Sequence, residues 1–450
     1  MTNARLAIAL AASYALLAPG LSKAADAWTQ IKNAVVCTEC APPYNLLSVT
    51  NTPSTKNNVV EDNIDVYAQW DPGSSVRVAS CGPVVTTSTC PTFSTGWVPI
   101  PGTTGPGNVP SAVGWGTHRQ VFIVDDTQGL SYATRDGGNA NAWVGPFSLG
   151  SPPRVAGGIC SSAQAISQAP GMIAVFVIGC DDNLWHISFQ NGQWSQWINV
   201  TDLTELGVNV LDNGNNSDFA LSVVYDNFST SGHSAYNQIH VIVSDLFNEI
   251  WDINYVFDAA HNYNPTDPAS WEEDLTPLTS GGETTAAVSA PRNIGIFGNG
   301  SNGNTSPPQP LDGVSAIEQS DSFPAIPSNF TAETVKGGLF EPINGIFVTP
   351  AAVTFGKPGG NCNTFPSCRN GVFFLNGAQN IQYSVWNVGG PWDTSFGIKT
   401  IGASGDKFTA NPVAVVSMQG TDAGKRAYVF AVRGIETTDT GEVYYASVVP

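Results

Sequence analysis

The stretch Met172-Ile-Ala-Val-Phe-Val-Ile-Gly-Cys180-Asp-Asp-Asn-Leu-Trp185-His-Ile-Ser-Phe-Gln190-Asn-Gly-Gln-Trp194-Ser-Gln-Trp197-Ile198 decides the fold. β-Branched and aromatic residues fill three short runs. Asp181-Asp182-Asn183 and Asn191-Gly192 separate them, and both are turn-forming clusters. The order is strand, turn, strand, turn, strand. A fourth strand precedes it near Ile159–Ile166. After the first 24 residues, no segment shows a sustained 3.6-residue apolar period, so helices are not expected to carry the core.

Working outward, the same order returns. Gln120–Val124, Leu130–Thr134 and Trp143–Leu149 form one copy, and Gln238–Val243, Ile250–Val256 and Trp271–Leu275 another. Val372–Leu375, Ile381–Trp386 and Trp392–Ile401 form a third, and Asn63–Trp70, Val76–Ser80 and Trp97–Ile100 a shorter fourth. A degenerate copy runs through Ile294–Phe297, Val314–Glu318 and Phe330–Val335, with residues 298–313 read as a polar loop insertion. The final copy, Pro412–Met418, Arg426–Arg433 and Glu442–Val449, ends without its Trp-led strand. That strand stands at the other end of the chain, as Ala27-Trp28-Thr-Gln-Ile31. The pattern therefore predicts an all-β, seven-bladed propeller of four-stranded blades, closed by the N-terminal strand completing the last blade. Closure removes open sheet edges. Two or three β-sandwiches would leave the matching of Trp28 with Trp97, Trp143, Trp194, Trp271 and Trp392 unexplained. A large ring at the start of each outer strand is expected to wedge between blades.

Composition narrows the partners. Lys+Arg is 17 against 36 Asp+Glu, a net charge of −19, and charged residues make up only 12% of the chain. An acidic surface argues against nucleic acid, which needs a basic face, and against anionic lipid. Gly 46 and Pro 31 supply many turns, and 42% hydrophobic residues exclude a disordered chain.

Residues 1–24 read as a secretory signal peptide: Arg5, an apolar stretch from Leu6 to Leu17, then Ser22-Lys23-Ala24 for cleavage, with Ala25-Asp26-Ala27 as an alternative cut. Residues 25–450 then form a single domain with no membrane span, placed in the periplasm, at the cell surface or in the medium. The eight cysteines fall into neighbouring twos, and disulfides are expected at Cys37/Cys40, Cys81/Cys90, Cys160/Cys180 and Cys362/Cys368. Cys37-Thr-Glu-Cys40 matches CxxC, but its Val and Pro flanks do not form the helix N-terminus that redox chemistry uses.

The central stretch resembles a known family. Val175-Phe-Val-Ile-Gly179, Asp182-Asn-Leu-Trp-His186 and Gln193-Trp-Ser-Gln-Trp197 are similar to the repeat of seven-bladed bacterial lectins of the Photorhabdus type, and more distantly to fungal fucose-specific lectins. The match is good over residues 172–198; elsewhere it rests on spacing and aromatic type, with Tyr132, Trp251, Tyr383 and Tyr444 aligned to Trp185. The resemblance implies glycan pockets between blades, where an aromatic face stacks on the sugar and polar groups hold its hydroxyls. It marks Trp185, His186, Trp194 and Trp197 as ligand-binding, with Trp251 and Tyr383 as equivalents. The fungal fucose sites use a recurring Arg and Glu, and here no Arg recurs at one repeat position.

Other chemistry is less well provided for. Asp181, Asp182, Asp252, Glu272, Glu273 and Asp274 are rim acids that could serve a glycosidase pair. His118, His186, His233, His240 and His261 form no short metal-ligand motif. Gly298–Gly303 fits GxGxxG, but Pro307-Pro308 follows where a phosphate loop needs a helix. Asp212–Asp218 is oxygen-rich yet lacks the terminal Glu of an EF-hand. The sequence thus predicts a secreted, lectin-like glycan binder with no catalytic residues, metal or cofactor; its oligomeric state is open. A carbohydrate-active hydrolase or lyase on the same fold and a cell-surface interaction scaffold are the alternatives.

Overall fold

The computed structural model describes residues 28–32, 36–37, 47–56, 59–70, 75–84, 93, 96–104, 109–136, 142–204, 221–228, 236–244, 249–256, 264–273, 279–280, 282–290, 293–302, 309–319, 330–334, 351–356, 368–376, 378–387, 398–403, 405–410, 412–416, 426–435 and 438–449. For residues 279–334 only backbone is described. The expected signal peptide, Cys40, Cys90, Cys362, Trp392 and the Asp212–Asp218 loop lie outside these residues.

The protein is an antiparallel β-propeller. The repeats anticipated from the sequence appear as four-strand runs, for example Ser111–Trp115, His118–Val124, Leu130–Arg135 and Trp143–Gly150. The central stretch forms Gln164–Ala169, Met172–Ile178, Leu184–Gln190 and Gln193–Trp194, with Ile198–Asn199 returning to the third strand. Among the described residues the α-helix is a single turn, Val200–Leu203, capped by the Asn199 side chain. The first strands of successive repeats lie side by side in a closed order. They run Leu47–Lys56, Ser111–Trp115, Gln164–Ala169, Leu221–Phe228, Gly282–Ala290, Ala351–Gly356, Val413–Val416 and back to Leu47–Lys56.

Two expectations are corrected. The strands form six hydrogen-bonded sheets, not seven separate blades. The short strand Val36–Cys37 bonds on one side to Gly441 and Thr440 and on the other to Trp70, which merges the last and first repeats into one nine-stranded sheet. Residues 298–313 are not a loop insertion throughout. Asn293–Asn302 and Gln309–Gln319 are paired strands, with Asn302 opposite Gln309. Backbone pairing does not require apolar side chains, so a polar run can still extend a hairpin.

The closure read from the N-terminus is present. Thr29 and Gln30 pair with Tyr445 and Tyr444, and the Ile31 amide donates to Val443 at 2.8 Å. Trp28 donates its indole N–H to Ile401 and packs its ring on Phe408 at 4.5 Å.

The core lies between repeats. In the third repeat, Ile173, Val175, Val177, Trp185 and Ile187 point toward the second, against Phe122, Val124 and Leu130. Ala174, Phe176, Ile178 and Leu184 point the other way, against Ile239, Val241, Val243 and Tyr255 of the fourth. A strand with apolar residues on both sides reads as a continuous run, as Met172–Ile178 does. One seam also carries buried charge. Arg119 donates to Asp65 at 2.6 Å, Arg135 adds a 3.3 Å contact, and the Ser80 hydroxyl donates to the same carboxylate.

Of the four expected disulfides, Cys160–Cys180 is the one formed between described residues, with Cα atoms 4.9 Å apart. The other three pairings each have one cysteine outside the described residues. Cys81 is disulfide-bonded, while its expected partner Cys90 lies outside. Cys37 sits in the bridging strand Val36–Cys37, and its expected partner Cys40 lies outside. Cys368 opens the strand Cys368–Leu375, its backbone opposite Gly356, and its expected partner Cys362 lies outside. Among the described residues no helix is long and apolar enough to cross a membrane.

Candidate functional site

The sheet register sorts the aromatic residues. Trp185 stands opposite Val177 and Trp251 opposite Val243, so these two are equivalent. Tyr132 stands opposite Phe122 and Tyr383 opposite Phe373, as His186 stands opposite Phe176. Tyr132 and Tyr383 are therefore equivalents of His186 rather than of Trp185. A one-residue shift along a strand moves a side chain to the other face.

The outer-strand tryptophans wedge into the seam with the preceding repeat. Trp143 meets Tyr67 edge-on at 6.2 Å, Trp194 meets Phe122 at 5.8 Å, and Trp271 meets Phe176 at 6.4 Å. In the first repeat Trp97 instead packs on Trp70, and Phe93 takes the position against Phe430 and Tyr445.

Three of the expected ligand contacts are buried. His186 is 0% exposed between Phe176, Tyr255 and Trp271, and neither ring nitrogen has a hydrogen-bond partner. Desolvation holds its pKa down to about 3, so the ring is neutral. Trp185 is buried, and its indole N–H donates to Asp181 at 3.1 Å. Tyr383 is buried on Phe373, with Lys399 over the ring at 5.9 Å. Sequence spacing identified these side chains as aromatic repeat positions; their burial is set by the neighbouring strands and repeats. Trp251 is only partly buried.

Trp194 and Trp197 are brought together with two residues that the sequence did not single out for binding. Phe147 lies on the outer strand of the second repeat, opposite Tyr132, and is 41% exposed. Its ring is 5.2 Å from Tyr132, which in turn is 5.4 Å from Trp194. Trp197 anchors to the same strand by donating to the Leu149 carbonyl at 3.2 Å. The Trp194 indole N–H is buried without an acceptor. The result is an aromatic cleft at the outer mouth of the seam between the second and third repeats. The signal that could have revealed Phe147 is a second aromatic residue in the Trp-led outer strand Trp143–Gly150; its exposure is not written in sequence.

The rim acids do not form a catalytic pair among the described residues. Asp181 is occupied by Trp185 and Asn183. Asp182 is a turn residue at φ 61. Asp252 is buried and accepts from His240 Nδ1 at 2.9 Å. The side chains of Glu272, Glu273 and Asp274 lie outside the described residues. No group of three or more His, Cys, Asp or Glu able to hold a metal occurs among the described residues.

No protein-family profile matches the chain, and neither does any curated protein. Solved structures do. The BP39L lectin from Burkholderia pseudomallei superposes with a TM-score of 0.57 at 18% identity, over 90% of this chain and 96% of that one. AofleA from Arthrobotrys oligospora gives 0.47 at 12% identity, over 84% and 90%. The Aleuria aurantia lectin gives 0.42 at 12%, over 84% and 98%. The likeness read at residues 172–198 thus extends to the whole fold: the chain has the propeller architecture of the Burkholderia lectin along nearly its full length.

Proposed function

We propose that the protein is an exported carbohydrate-binding propeller, which holds glycans without chemistry at the outer mouths of its seams. The observation that carries this reading is the half-exposed Phe147 ring, set beside Tyr132 and Trp194 where the second and third repeats meet. An exposed aromatic face is suited to the apolar face of a pyranose, and convergent polar groups fix orientation. Trp194 and Trp197 hold the cleft in shape, and the buried Trp194 N–H is a donor in want of an acceptor. Trp251, the equivalent of Trp185 one repeat on, is partly exposed at the next seam. The fold shared with a bacterial lectin supports the reading, and the Cys160–Cys180 disulfide fits an oxidising compartment outside the cytoplasm. The repeat of seams around the ring would give several weak sites and hence avidity.

A glycan array probed with the chain lacking its first 24 residues tests this. At least one neutral glycan should be retained. Phe147→Ala should weaken that binding tenfold or more while the melting temperature stays within a few degrees, because a half-exposed ring adds little to the core. No glycan retained by the parent chain would remove the reading.

A further inference from the structure

We infer that the seam between the last and first repeats holds a carboxylate-bearing sugar between Arg77 and Trp97. Arg77 lies on the third strand of the first repeat, Ser75–Val84, on the same side as Ala79 and Cys81. Those two residues pack in the core shared with the last repeat. Its guanidinium carbon sits 4.4 Å from the centre of the Trp70 ring, a cation–π contact. The Nε–H is buried and has no acceptor. Trp97 also packs on Trp70, at 5.4 Å, and its indole N–H is likewise buried without an acceptor.

Two orphan donors therefore lie against one indole. Buried polar groups are almost always paired, so the pair calls for an acceptor that the described residues do not supply. The contrast within the chain is direct. Arg119 and Arg135 share Asp65 across the next seam, and among the described residues Arg77 has no carboxylate beside it. In a chain with 36 acids and 17 basic residues, a partly buried arginine with no carboxylate beside it among the described residues is unexpected. A partly desolvated cation favours a negative partner over a neutral hydroxyl, and the planar guanidinium presents its donors as a fork that matches a carboxylate. Trp97 is partly exposed and offers an apolar surface beside that fork. That the carboxylate is carried by a sugar rests on the glycan-binding reading above. The seam itself is separate from the Phe147 cleft.

Calorimetric titration of the full chain with galacturonate, galactose and acetate tests the inference. Galacturonate should bind at least tenfold more tightly than either galactose or acetate. Arg77→Gln should abolish that preference. Trp97→Phe, which keeps the ring and removes one donor, should weaken galacturonate several-fold and guards against a misfolded Arg77 variant. Both variants should retain any neutral glycan captured at the Phe147 cleft. Equal affinity for galacturonate and galactose, no binding, or binding unaltered in Arg77→Gln overturns the inference: the two donors are then left unpaired in the seam. In each of those cases neutral-glycan binding lost in Phe147→Ala would still stand. Acetate binding as tightly as galacturonate overturns the sugar and leaves only a carboxylate site.

Discussion

His186 sits in a cage of Phe176, Tyr255 and Trp271 with both nitrogens unpaired, and this has a consequence for pH. Its pKa is held at about 3 in the folded protein, against an ordinary 6.5 in the unfolded chain. Between those values the unfolded chain binds the extra proton, so stability is full above pH 6.5 and falls as the pH drops toward 3. One proton corresponds to about 1.4 kcal/mol per pH unit, or about 5 kcal/mol across the whole window. Urea denaturation at pH 7.5, 5.5 and 4.5 should show this slope, and His186→Phe should flatten it by the share that His186 carries. An unchanged slope in the variant would place the acid sensitivity elsewhere. The equivalent positions hold Tyr132, Tyr383 and Tyr445 opposite Phe122, Phe373 and Phe430, so an aromatic ring is compatible with the site. The sequence marked His186 as special because it follows Trp185. It did not reveal that the next repeat closes over it, since Tyr255 and Trp271 lie more than sixty residues away.

The turn between second and third strands recurs with one geometry. Asp125 and Gly129, Gly179 and Asn183, and Asn376 and Asn380 are joined by backbone hydrogen bonds, and the residue before the last in each turn has positive φ: Gln128 at 57°, Asp182 at 61° and Gln379 at 63°. A side-chain acceptor steadies each turn, from Asp125, Asp181 and Asn376. The left-handed residue also reaches the next repeat. The Gln128 carbonyl accepts from Ile159, and the Gln379 carbonyl from Phe408, both at 2.9 Å. Gly158, at φ +70, is needed because a Cβ there would lie 2.5 Å from the Gln128 carbonyl oxygen. Left-handed backbone costs an L-residue about 1–2 kcal/mol, and more where the side chain is β-branched. Gln379→Gly should therefore raise the denaturation midpoint slightly, and Gln379→Val should lower stability by about 1–2 kcal/mol. Thermal melts of the pair would show opposite shifts; shifts of the same sign would mean that Gln379 acts through its side chain. The Asp-Asp-Asn cluster announced these turns from sequence, whereas which residue turns left-handed required the backbone.

At the scale of the ring, closure depends on a strand far from its partners in sequence. Thr29–Gln30 covers the edge of Thr438–Val448, Ile31 is 1% exposed, and Trp28 seals the seam toward Phe408. An uncovered edge presents unpaired backbone groups to other chains. Removing residues 25–32 should broaden the unfolding transition and cause concentration-dependent association. Light scattering after size-exclusion chromatography would detect it, and a monomer with an unchanged melting temperature would show that Val36–Cys37 alone suffices for closure.

The amino-acid sequence by itself determined the strand order, the recurring turns, the wedging tryptophans and the return of the N-terminal strand. Each is a local pattern of apolar period and turn residues, repeated often enough to be legible. Tertiary structure decided the rest. It merged the last and first repeats through Val36–Cys37, moved Tyr132 and Tyr383 to the other face of their strands, and buried His186 and Trp185 while leaving Phe147 open. These outcomes depend on which residues of neighbouring repeats meet across a seam. Exposure and register are properties of that meeting, and no single repeat contains them.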